Sequence, residues 1–325
     1  MRSWWIRTEA GAMKLEMREV PVPRPGAGQL AVRIRAAALN RGEFIAGHGL
    51  HAAGAAARPA GFEASGEVTA VGEGVAGFAV GQRVMGRCDG AFAEHGLMQA
   101  GEAFVVPEAL SWEQAACAYV TYLTAHDMLI AQGRLRAGEW MLVTGISSGV
   151  GVAALQVAKA LGARVMGTSG SPAKLQRLQA MGLDVALATR APDFVPAVLE
   201  ASGGRGVDLV VNTVGGSVFA ACVEALGFEG RLATVGYVDG VVRAELDLMA
   251  LHKKRLQLFG VSNKMRTVRH RVDAAAEFRR DLLPLMEAGR VVPLVDQAYP
   301  FEALDEARRA MEAGAHLGKI VLRVD

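Results

Sequence analysis

The stretch Trp140-Met-Leu-Val-Thr-Gly-Ile-Ser-Ser-Gly-Val-Gly151 decides the fold of the second half of this chain. Its apolar start predicts a buried strand, its glycines predict a tight turn, and the apolar residues that recur as far as Leu161 predict a helix. Such a turn lets a ligand approach the backbone closely, and the N-terminus of the helix offers unpaired N–H groups to a pyrophosphate. The alternative is a turn that only joins a strand to a helix.

A second predicted strand, over residues 163–168, follows that helix and completes a βαβ unit of the size that a dinucleotide requires. The spacing Gly145-x-x-x-Gly149-x-Gly151 departs from the strict Gly-x-Gly-x-x-Gly pattern, so the turn alone is a weak signal. Its context favours dinucleotide binding. The residues that would hold the pyrophosphate are Ser148, Gly149, Val150 and Gly151.

Predicted strands and helices alternate through the rest of this half. Strands are expected near residues 140–144, 164–168, 184–187, 208–212, 231–235 and 256–261, and helices near 150–161, 173–181, 192–201, 217–226 and 245–252. Six strands that alternate with helices predict a doubly wound parallel sheet.

The first 110 residues predict a different, β-rich unit, because short strand-like segments separated by turn-forming glycines are typical of a partly open barrel. These segments lie at 32–36, 66–71, 81–85, 91–95 and 103–106. In the tail, a helix is expected near 268–288, another over 301–313 and a final strand over 319–324. Since no helix follows that strand, it is expected to return to the sheet of the first unit.

Composition narrows the classes of function. The chain has 325 residues, 51% of them hydrophobic, which is enough for two domains, each with its own hydrophobic core. Its 35 Lys and Arg against 33 Asp and Glu give no reason to expect nucleic acid as a partner. No apolar run reaches the roughly 20 residues of a membrane span, and no signal peptide is expected. The scattered Cys88, Cys117 and Cys222 predict no disulfide framework and favour a cytoplasmic location.

Several motifs occur in the order in which one enzyme family carries them. They are Asn40-x-x-Glu43, Gly61-Phe62-Glu63-x-x-Gly66-x-Val68, Gly90-Ala91-Phe92-Ala93-Glu94, Thr121-x-x-Thr124-Ala125-His126, Gly149-Val150-Gly151, Gly230-Arg231-Leu232 and Gly318-Lys319-Ile320-Val321. The chain resembles the zinc-independent medium-chain dehydrogenases/reductases along essentially its whole length. The nearest branch is that of the NADPH:quinone oxidoreductases, and the enoyl reductases are close behind.

This resemblance implies an α/β protein with two domains. A GroES-like, β-rich catalytic domain is expected over residues 1–121 and 265–325. A Rossmann NADP(H)-binding domain with a doubly wound parallel sheet of six strands is expected over residues 122–264. The resemblance also implies a homodimer in which the apolar sixth strand pairs with its twin.

The zinc-binding branch of this family differs from the chain at three positions. It carries Cys, His and Cys where this chain has Asn40, Phe62 and, approximately, Val120, which together supply no zinc ligand set. We therefore predict no metal. Without that Lewis acid, we expect hydride transfer to an acceptor that is already electrophilic, rather than oxidation of a zinc alkoxide.

The end of the second sheet strand indicates which nicotinamide cofactor is used. Enzymes that use NAD place an acidic residue there to bind the ribose hydroxyls, whereas this chain has Gly167-Thr168-Ser169-Gly170-Ser171. Ser169 can hydrogen-bond a 2′-phosphate, Lys174 matches a family lysine that reaches it, and Arg190 is a further candidate. We predict NADP(H), while ordinary solvated surface charge is the alternative for both cations.

The resemblance also assigns residues to the nicotinamide end of the cofactor. Thr124 resembles a threonine on its ribose side. Lys319 matches a family lysine near the cofactor, although a surface charge at a strand end would account for it equally well. The residues expected to hold the ring and the carboxamide, in the loops after the last three sheet strands, are Val214, Gly236, Tyr237, Phe259, Gly260 and Val261.

Two residues are candidates for a direct role in the reaction. Asn40 is the candidate for stabilising the developing oxyanion, and His51, where quinone oxidoreductases carry a tyrosine, is a candidate proton donor beside solvent. A solvated loop histidine is the alternative for His51. Three functions stay open: reduction of a quinone, reduction of an α,β-unsaturated carbonyl or enoyl thioester, and NADPH binding with little turnover.

Overall fold

The computed structural model describes residues 1–9, 12–45 and 56–325, which form two compact units. Unit 1 comprises Met1–Leu123 and Lys264–Asp325, and unit 2 comprises Thr124–Asn263. The strands, in chain order, are β1 (Arg2–Glu9), β2 (Ala12–Glu19), β3 (Gln29–Ala38), β4 (Arg58–Pro59), β5 (Glu63–Val71), β6 (Arg83–Arg87), β7 (His95–Gln99), β8 (Ala103–Val105), β9 (Trp140–Thr144), β10 (Arg164–Thr168), β11 (Val185–Leu187), β12 (Val207–Asn212), β13 (Leu226–Thr234), β14 (Gln257–Gly260), β15 (Val295–Pro300) and β16 (Lys319–Arg323).

The α-helices are α1 (Trp112–Ala116), α2 (Tyr119–His126), α3 (Gly149–Ala160), α4 (Pro172–Ala180), α5 (Val195–Ala201), α6 (Phe219–Ala225), α7 (Leu248–Lys254), α8 (Val268–Asp281), α9 (Leu283–Glu287) and α10 (Leu304–Ala313). A π-helical segment, Asp127–Ala131, continues α2, and a 3₁₀ turn, Arg41–Phe44, follows β3. None of the helices in the described ranges combines the length and hydropathy needed to cross a membrane.

Unit 2 contains a sheet of six parallel strands in the order β11-β10-β9-β12-β13-β14. Every residue of the central strand β9 is buried, which explains its continuous apolar sequence. Within this sheet the chain forms β9 first and continues through β10 to β11 at one edge. It then returns to form β12 on the other side of β9, so the strand order reverses between β9 and β12. The predicted doubly wound sheet is confirmed, and a reversal of this kind is where such folds bind ligands.

Unit 1 contains two sheets. One has the order β15-β16-β3-β5-β6-β8, with β7 paired to β3, and the other has the order β2-β1-β4. The last strand, β16, pairs antiparallel with β3 and parallel with β15. The expected return of the final strand to the first sheet is therefore confirmed, and it brings residues from both ends of the chain into one core.

Three segments differ from the predicted elements. The helix expected near 268–288 is two helices, α8 and α9, because Pro284 has no backbone N–H with which to continue the ladder. The segment expected to be a strand over 91–95 is one only from His95 onward. The structure also has an antiparallel hairpin of β1 and β2 that the sequence analysis did not predict. The alternation of polar and apolar residues in β2 is typical of a strand.

Arg231, on β13, is a buried cation that braces the start of the central strand. Its guanidinium donates to the carbonyl oxygens of Gly133 (2.6 Å) and Arg134 (2.9 Å), and it pairs with Glu139 at 2.7 Å. These partners lie in the segment that leads into β9, and Arg231 is only 7% exposed.

We predict that Arg231→Leu lowers the free energy of unfolding by about 3 kcal/mol or more, because it leaves buried carbonyl groups without donors and Glu139 without its cation. Thermal and urea denaturation measure the loss. The control is Arg255→Ala, which removes an exposed pair with Glu229 and should cost about 0–1 kcal/mol. Equal losses in the two variants would contradict the bracing role of Arg231.

Candidate functional site

The glycine-rich turn joins β9 to α3 at the carboxyl edge of the unit 2 sheet. Gly145 has a φ of 66°, a left-handed value that favours glycine, and a side chain on Gly151 would lie 2.5 Å from the carbonyl oxygen of Ile146. Ser148 caps α3 by accepting the N–H of Gly151 at 3.1 Å. The start of α3 therefore lies close against the end of β9, where its positive dipole suits an anionic group.

The carboxyl ends of four neighbouring strands of unit 2 lie side by side. Their register aligns Thr144 with Asn212, Asn212 with Thr234, and Thr234 with Gly260. The loops that follow these strands therefore open onto the same edge as the glycine-rich turn. This edge is where a dinucleotide binds in doubly wound sheets.

A buried amide holds the loop after β12. The Oδ1 atom of Asn212 accepts the N–H groups of Val214 and Gly215, both at 3.0 Å, and its Nδ2 donates to the carbonyl of Gly215 at 2.9 Å. The loop after β13 packs on this one, since the N–H of Asp239 donates to the carbonyl of Val214 at 3.0 Å. Both backbone groups of Val214 are therefore hydrogen-bonded, its N–H to the side chain of Asn212 and its carbonyl to the N–H of Asp239.

The strand-end residues assigned to the nicotinamide end lie on or next to unit 2 strands, whereas Lys319 lies on β16 of unit 1. Gly236 and Tyr237 follow β13, and Tyr237 is exposed. Phe259 and Gly260 end β14, and the N–H of Val261 donates to the carbonyl of Thr234 at 3.0 Å. Thr124 lies in α2. The structure therefore brings the strand-end residues to one edge of the sheet.

The end of β10 forms a corner with no acidic side chain. Ser169 donates to Ser147 of the glycine-rich turn at 3.3 Å and accepts the N–H of Ser171. The side chain of Arg190 lies across Gly170, where an added Cβ would be only 2.1 Å from its Nε atom. In the described part of the chain no carboxylate pairs with Arg190, and Lys174 lies in the first turn of α4. A ligand with an anionic group fits this corner, because Arg190 offers a positive charge there and no carboxylate of the described residues neutralises it.

A separate buried cluster occupies unit 1. The Nζ atom of Lys319 donates to Oδ1 of Asn40 (2.6 Å), to Oε1 of Glu63 (3.0 Å) and to the carbonyl of Leu39 (2.9 Å). The Nδ2 atom of Asn40 donates to Glu63 and to Glu43, both at 3.0 Å. Asn40 follows β3, Glu63 begins β5 and Lys319 begins β16, so three adjacent strands bring the cluster together.

The orientation of the Asn40 amide follows from this arrangement. An ammonium group only donates hydrogen bonds, so the amide atom beside Lys319 is the oxygen. Both amide hydrogens of Asn40 are then directed at carboxyl groups, one of Glu43 and one of Glu63. Donation to a ligand therefore requires one of these two bonds to open.

Burial governs the charges of the cluster. Glu63 is 0%, Glu43 1% and Lys319 6% exposed, so Lys319 is no solvated surface charge. Burial raises the pKa of Glu43 to about 8, although Asn40 and Lys319 oppose the rise. Burial is the largest single effect and lowers the pKa of Lys319, but the charge and hydrogen bond of Glu63, with the effects of Cys117 and Glu43, together outweigh it, so the pKa is raised. Lys319 is thus a permanent ammonium group.

The positions at which the zinc-binding branch carries metal ligands are occupied differently here. The backbone N–H of Val120 donates to Oε2 of Glu63 at 2.8 Å, and the ring of Phe62 faces the guanidinium of Arg87. Within residues 1–9, 12–45 and 56–325, no group of His, Cys, Asp and Glu side chains is arranged to hold a metal ion. His51 lies outside the described residues.

Glu43 and Glu63 are the site residues to which the sequence assigned no role. Both stand in motifs that carry the family resemblance, and both are charged residues at the edges of apolar segments, where burial requires partners. Gly170 is a further one, because the need for a glycine there becomes visible only when the path of Arg190 is known.

Comparison with known proteins gives matches along the whole chain. Residues 26–131 match the alcohol dehydrogenase GroES-like domain family, and residues 149–279 match the zinc-binding dehydrogenase family. The chain is 34% identical to a segment of a phenolphthiocerol/phthiocerol polyketide synthase of Mycobacterium tuberculosis, over 95% of its own length but only 14% of that protein. It is 31% identical to the human synaptic vesicle membrane protein VAT-1 homolog, over 95% of its length and 82% of that protein.

Solved structures show the same fold. A mycobacterial protein, Rv1454c, in complex with NADPH has a TM-score of 0.88 and 28% identity, covering 99% of this chain and all of that one. A mycobacterial quinone oxidoreductase has a TM-score of 0.85 and 29% identity, with 99% of each chain covered. With its GroES-like and dehydrogenase domains in this order, the chain belongs to the medium-chain dehydrogenase/reductase superfamily.

Proposed function

We propose that this protein is a zinc-independent oxidoreductase that reduces a quinone-type acceptor with NADPH. The observation that carries the proposal is the cluster of Asn40, Glu43, Glu63 and Lys319. Where the zinc-binding branch carries a metal ligand, this chain has the amide of Asn40, which is hydrogen-bonded to the ammonium group of Lys319. Similarity to a mycobacterial quinone oxidoreductase supports the class of acceptor.

The cofactor is NADP(H), and the residues of unit 2 fit it. The capped start of α3 suits its pyrophosphate, and the corner formed by Ser169, Gly170 and Arg190 suits a 2′-phosphate, because it presents a cation and no acidic group. When bound, NADPH supplies a hydride ion, which is one hydrogen and two electrons. The protein's part is to bind, orient and exclude water.

Asn40 is the proposed partner of the oxygen on which the acceptor develops negative charge. Lys319 draws electron density from its Oδ1 and so makes its amide hydrogens stronger donors. The proton that completes the reduction comes from His51 or from solvent. Lys319 and Glu63 hold Asn40 in place and neutralise each other.

Reduction of an α,β-unsaturated carbonyl compound or an enoyl thioester is the second candidate. The 34% identity to a segment of a polyketide synthase favours it. Its first step is also hydride transfer that leaves negative charge on a carbonyl oxygen, so the same residues of the chain would serve it.

We also propose a cytoplasmic homodimer. Cys88, Cys117 and Cys222 are buried free thiols, which suit a reducing compartment. Strand β14 is an edge of the six-stranded sheet, and an edge strand offers unpaired backbone groups to a second copy.

The first prediction from the proposed function concerns the acceptor. NADPH oxidation is followed by absorbance with an ortho-quinone and a 2-alkenal in parallel, and turnover of the quinone is expected, unchanged by EDTA. Turnover of the alkenal alone would favour the second candidate. Inhibition by EDTA that zinc reverses would contradict zinc independence, and binding of NADPH without turnover of either acceptor would indicate a binding protein.

The second prediction concerns the choice of cofactor. Arg190→Ala should weaken NADPH binding about tenfold or more, because a charge-assisted bond contributes about 1.5–3 kcal/mol, and leave NADH binding unchanged. Gly170→Ala should act in the same way, since the added methyl group displaces Arg190. Fluorescence titration of both cofactors measures the effects.

A double-mutant cycle makes this prediction sharper. The variant carrying both substitutions should bind NADPH no more weakly than Arg190→Ala alone, because the two changes remove one contact. The control is Arg136→Ala. Arg136 is exposed and lies just before β9, at the edge of the sheet formed by the amino ends of the strands. Additive losses, or an equal loss of NADH affinity, would contradict the role of Gly170 and Arg190.

The third prediction concerns assembly. Light scattering at micromolar concentration should give twice the mass of one chain. The substitution Gln257→Lys should weaken the dimer, because it puts the same charge on an exposed position of the pairing edge in both copies. A wild-type monomer would contradict the homodimer.

A further inference from the structure

A single carboxylate fastens together the loops that follow β12 and β13 at the carboxyl edge of the unit 2 sheet. The two oxygens of Asp239 accept one backbone N–H each, Oδ2 from Ser217 in the loop after β12 and Oδ1 from Val241 in its own loop, both at 2.8 Å. The N–H of Asp239 donates to the carbonyl of Val214 at 3.0 Å, and the N–H of Gly216 donates to the carbonyl of Val241 at 2.9 Å. Asp239 therefore holds the loop after β12 at two points and fixes the loop after β13 beside it.

The loop after β12 needs glycines to leave room for this carboxylate. Gly215 has a φ of 131° and a ψ of −150°, a backbone conformation that residues with a side chain rarely adopt. A Cβ added to Gly215 would overlap Oδ1 of Asp239, and a Cβ added to Gly216 would lie 2.6 Å from Cγ1 of Val241. The two glycines therefore allow one loop to pack on the other.

The loop after β12 also borders the glycine-rich turn. The hydroxyl of Thr213 donates to the carbonyl of Thr144 at 2.7 Å, and Thr144 is the last residue before that turn. A Cβ added to Gly145, the first residue of the turn, would lie 3.5 Å from Cγ2 of Val214. Val214 is therefore a neighbour of the turn that is expected to hold the pyrophosphate. The loop that Asp239 holds thus belongs to the proposed cofactor site.

We propose that Asp239 is a positioning residue for hydride transfer, because it fixes Val214 and with it the surface on which the nicotinamide ring of NADPH rests. The proposal rests on the proposed function and on the assignment of the ring to Val214. Asp239 takes part in no bond that forms or breaks. The hydride, with both its electrons, passes from NADPH to the acceptor, and the acceptor takes its proton from His51 or solvent.

An ionised carboxylate suits this task better than an amide or a hydroxyl group. Its two oxygens only accept hydrogen bonds, so it can hold one N–H of each loop at the same time. Burial opposes its ionisation, but the hydrogen bonds from Ser217 and Val241 outweigh that effect and keep the pKa of Asp239 below its usual value. Hydrogen bonds to an ionised acceptor are also stronger than those to a neutral one. The two loops are therefore expected to keep one arrangement relative to each other.

Ligand binding tests the proposal without any acceptor. The probes are NADPH and 2′-phospho-ADP-ribose, which has every part of NADPH except the nicotinamide ring, and calorimetric titration measures both affinities. Asp239→Ala should weaken NADPH binding about tenfold, which corresponds to one charge-assisted hydrogen bond, and leave the affinity for 2′-phospho-ADP-ribose unchanged. The loss of a negative charge alone would strengthen the binding of both anions, so it cannot imitate this result.

Two further variants separate the role of Asp239 from general damage to the loops. Gly215→Ala displaces the carboxylate but keeps its charge, so it should reproduce the selective loss of NADPH affinity. The matched control is Asp247→Ala, because Asp247 also accepts two backbone N–H groups, those of Met249 and Ala250, but at the start of α7. This control should leave both affinities unchanged. Equal weakening of the two ligands by Asp239→Ala, or no weakening of either, would overturn the proposal.

Hydride transfer provides the kinetic test. In a single turnover with saturating NADPH and an ortho-quinone, Asp239→Ala should slow the reaction about tenfold to a hundredfold, because a displacement of about 1 Å can cost that much. Asp239→Asn should lie between Asp239→Ala and the wild type, since its amide oxygen replaces only one of the two acceptors. The fluorescence of bound NADPH, which reports the surroundings of its ring, should be closer to that of free NADPH in Asp239→Ala than in the wild type. Unchanged transfer and fluorescence would contradict the positioning role.

Separate results would contradict the proposed function and the role of Asp239. A wild-type protein that binds NADPH but reduces neither a quinone nor an alkenal would contradict the proposed function. The comparison of NADPH with 2′-phospho-ADP-ribose would still decide whether Asp239 holds the surface for the ring. Full turnover of the quinone by Asp239→Ala would support the proposed function and overturn the positioning role.

Discussion

The salt bridge between Lys319 and Glu63 is the interaction on which the rest of unit 1 depends. It joins residues 256 positions apart in the chain, and both partners are buried. Removing either partner would leave an uncompensated charge inside the protein, at a cost of about 3–5 kcal/mol. The pair is formed only when β16 returns beside β3, so it links the pairing of the last strand to the formation of the cluster around Asn40. A site that depends on this return cannot form before β16 is in place.

Unit 2 obeys a different constraint, which is the parallel arrangement of its strands. Parallel strands place all their carboxyl ends at one edge, so loops that are far apart in sequence meet there. The register of Thr144, Asn212 and Thr234 aligns these ends residue by residue. Buried amide and backbone bonds around Asn212 then hold the loops in place. The location of the cofactor site thus follows from the topology of the sheet, whatever the side chains in its loops.

The periodic parts of the sequence predicted their structure well, because period and burial are local properties. The six sheet strands lie within a few residues of their predicted positions. Strand β13 begins five residues early, at Leu226, which pairs with Val207 before a register shift, and regular pairing starts at Arg231. The family motifs led to Asn40 and Lys319. No sequence property shows that both hydrogens of Asn40 already have acceptors, or that Lys319 is buried, because those facts depend on which strands become neighbours.

Burial and hydrogen bonding together set the charges of the cluster around Asn40. Two carboxyl groups face one amide, and Lys319 is the cation that forms a salt bridge with Glu63. Burial raises the pKa of the Glu43 carboxyl group to about 8, which reduces the negative charge that the cluster carries at neutral pH. The amide at position 40 therefore fits with an ammonium ion at the start of β16 and with a deeply buried carboxyl group, because each of these groups limits the charge that the others must stabilise.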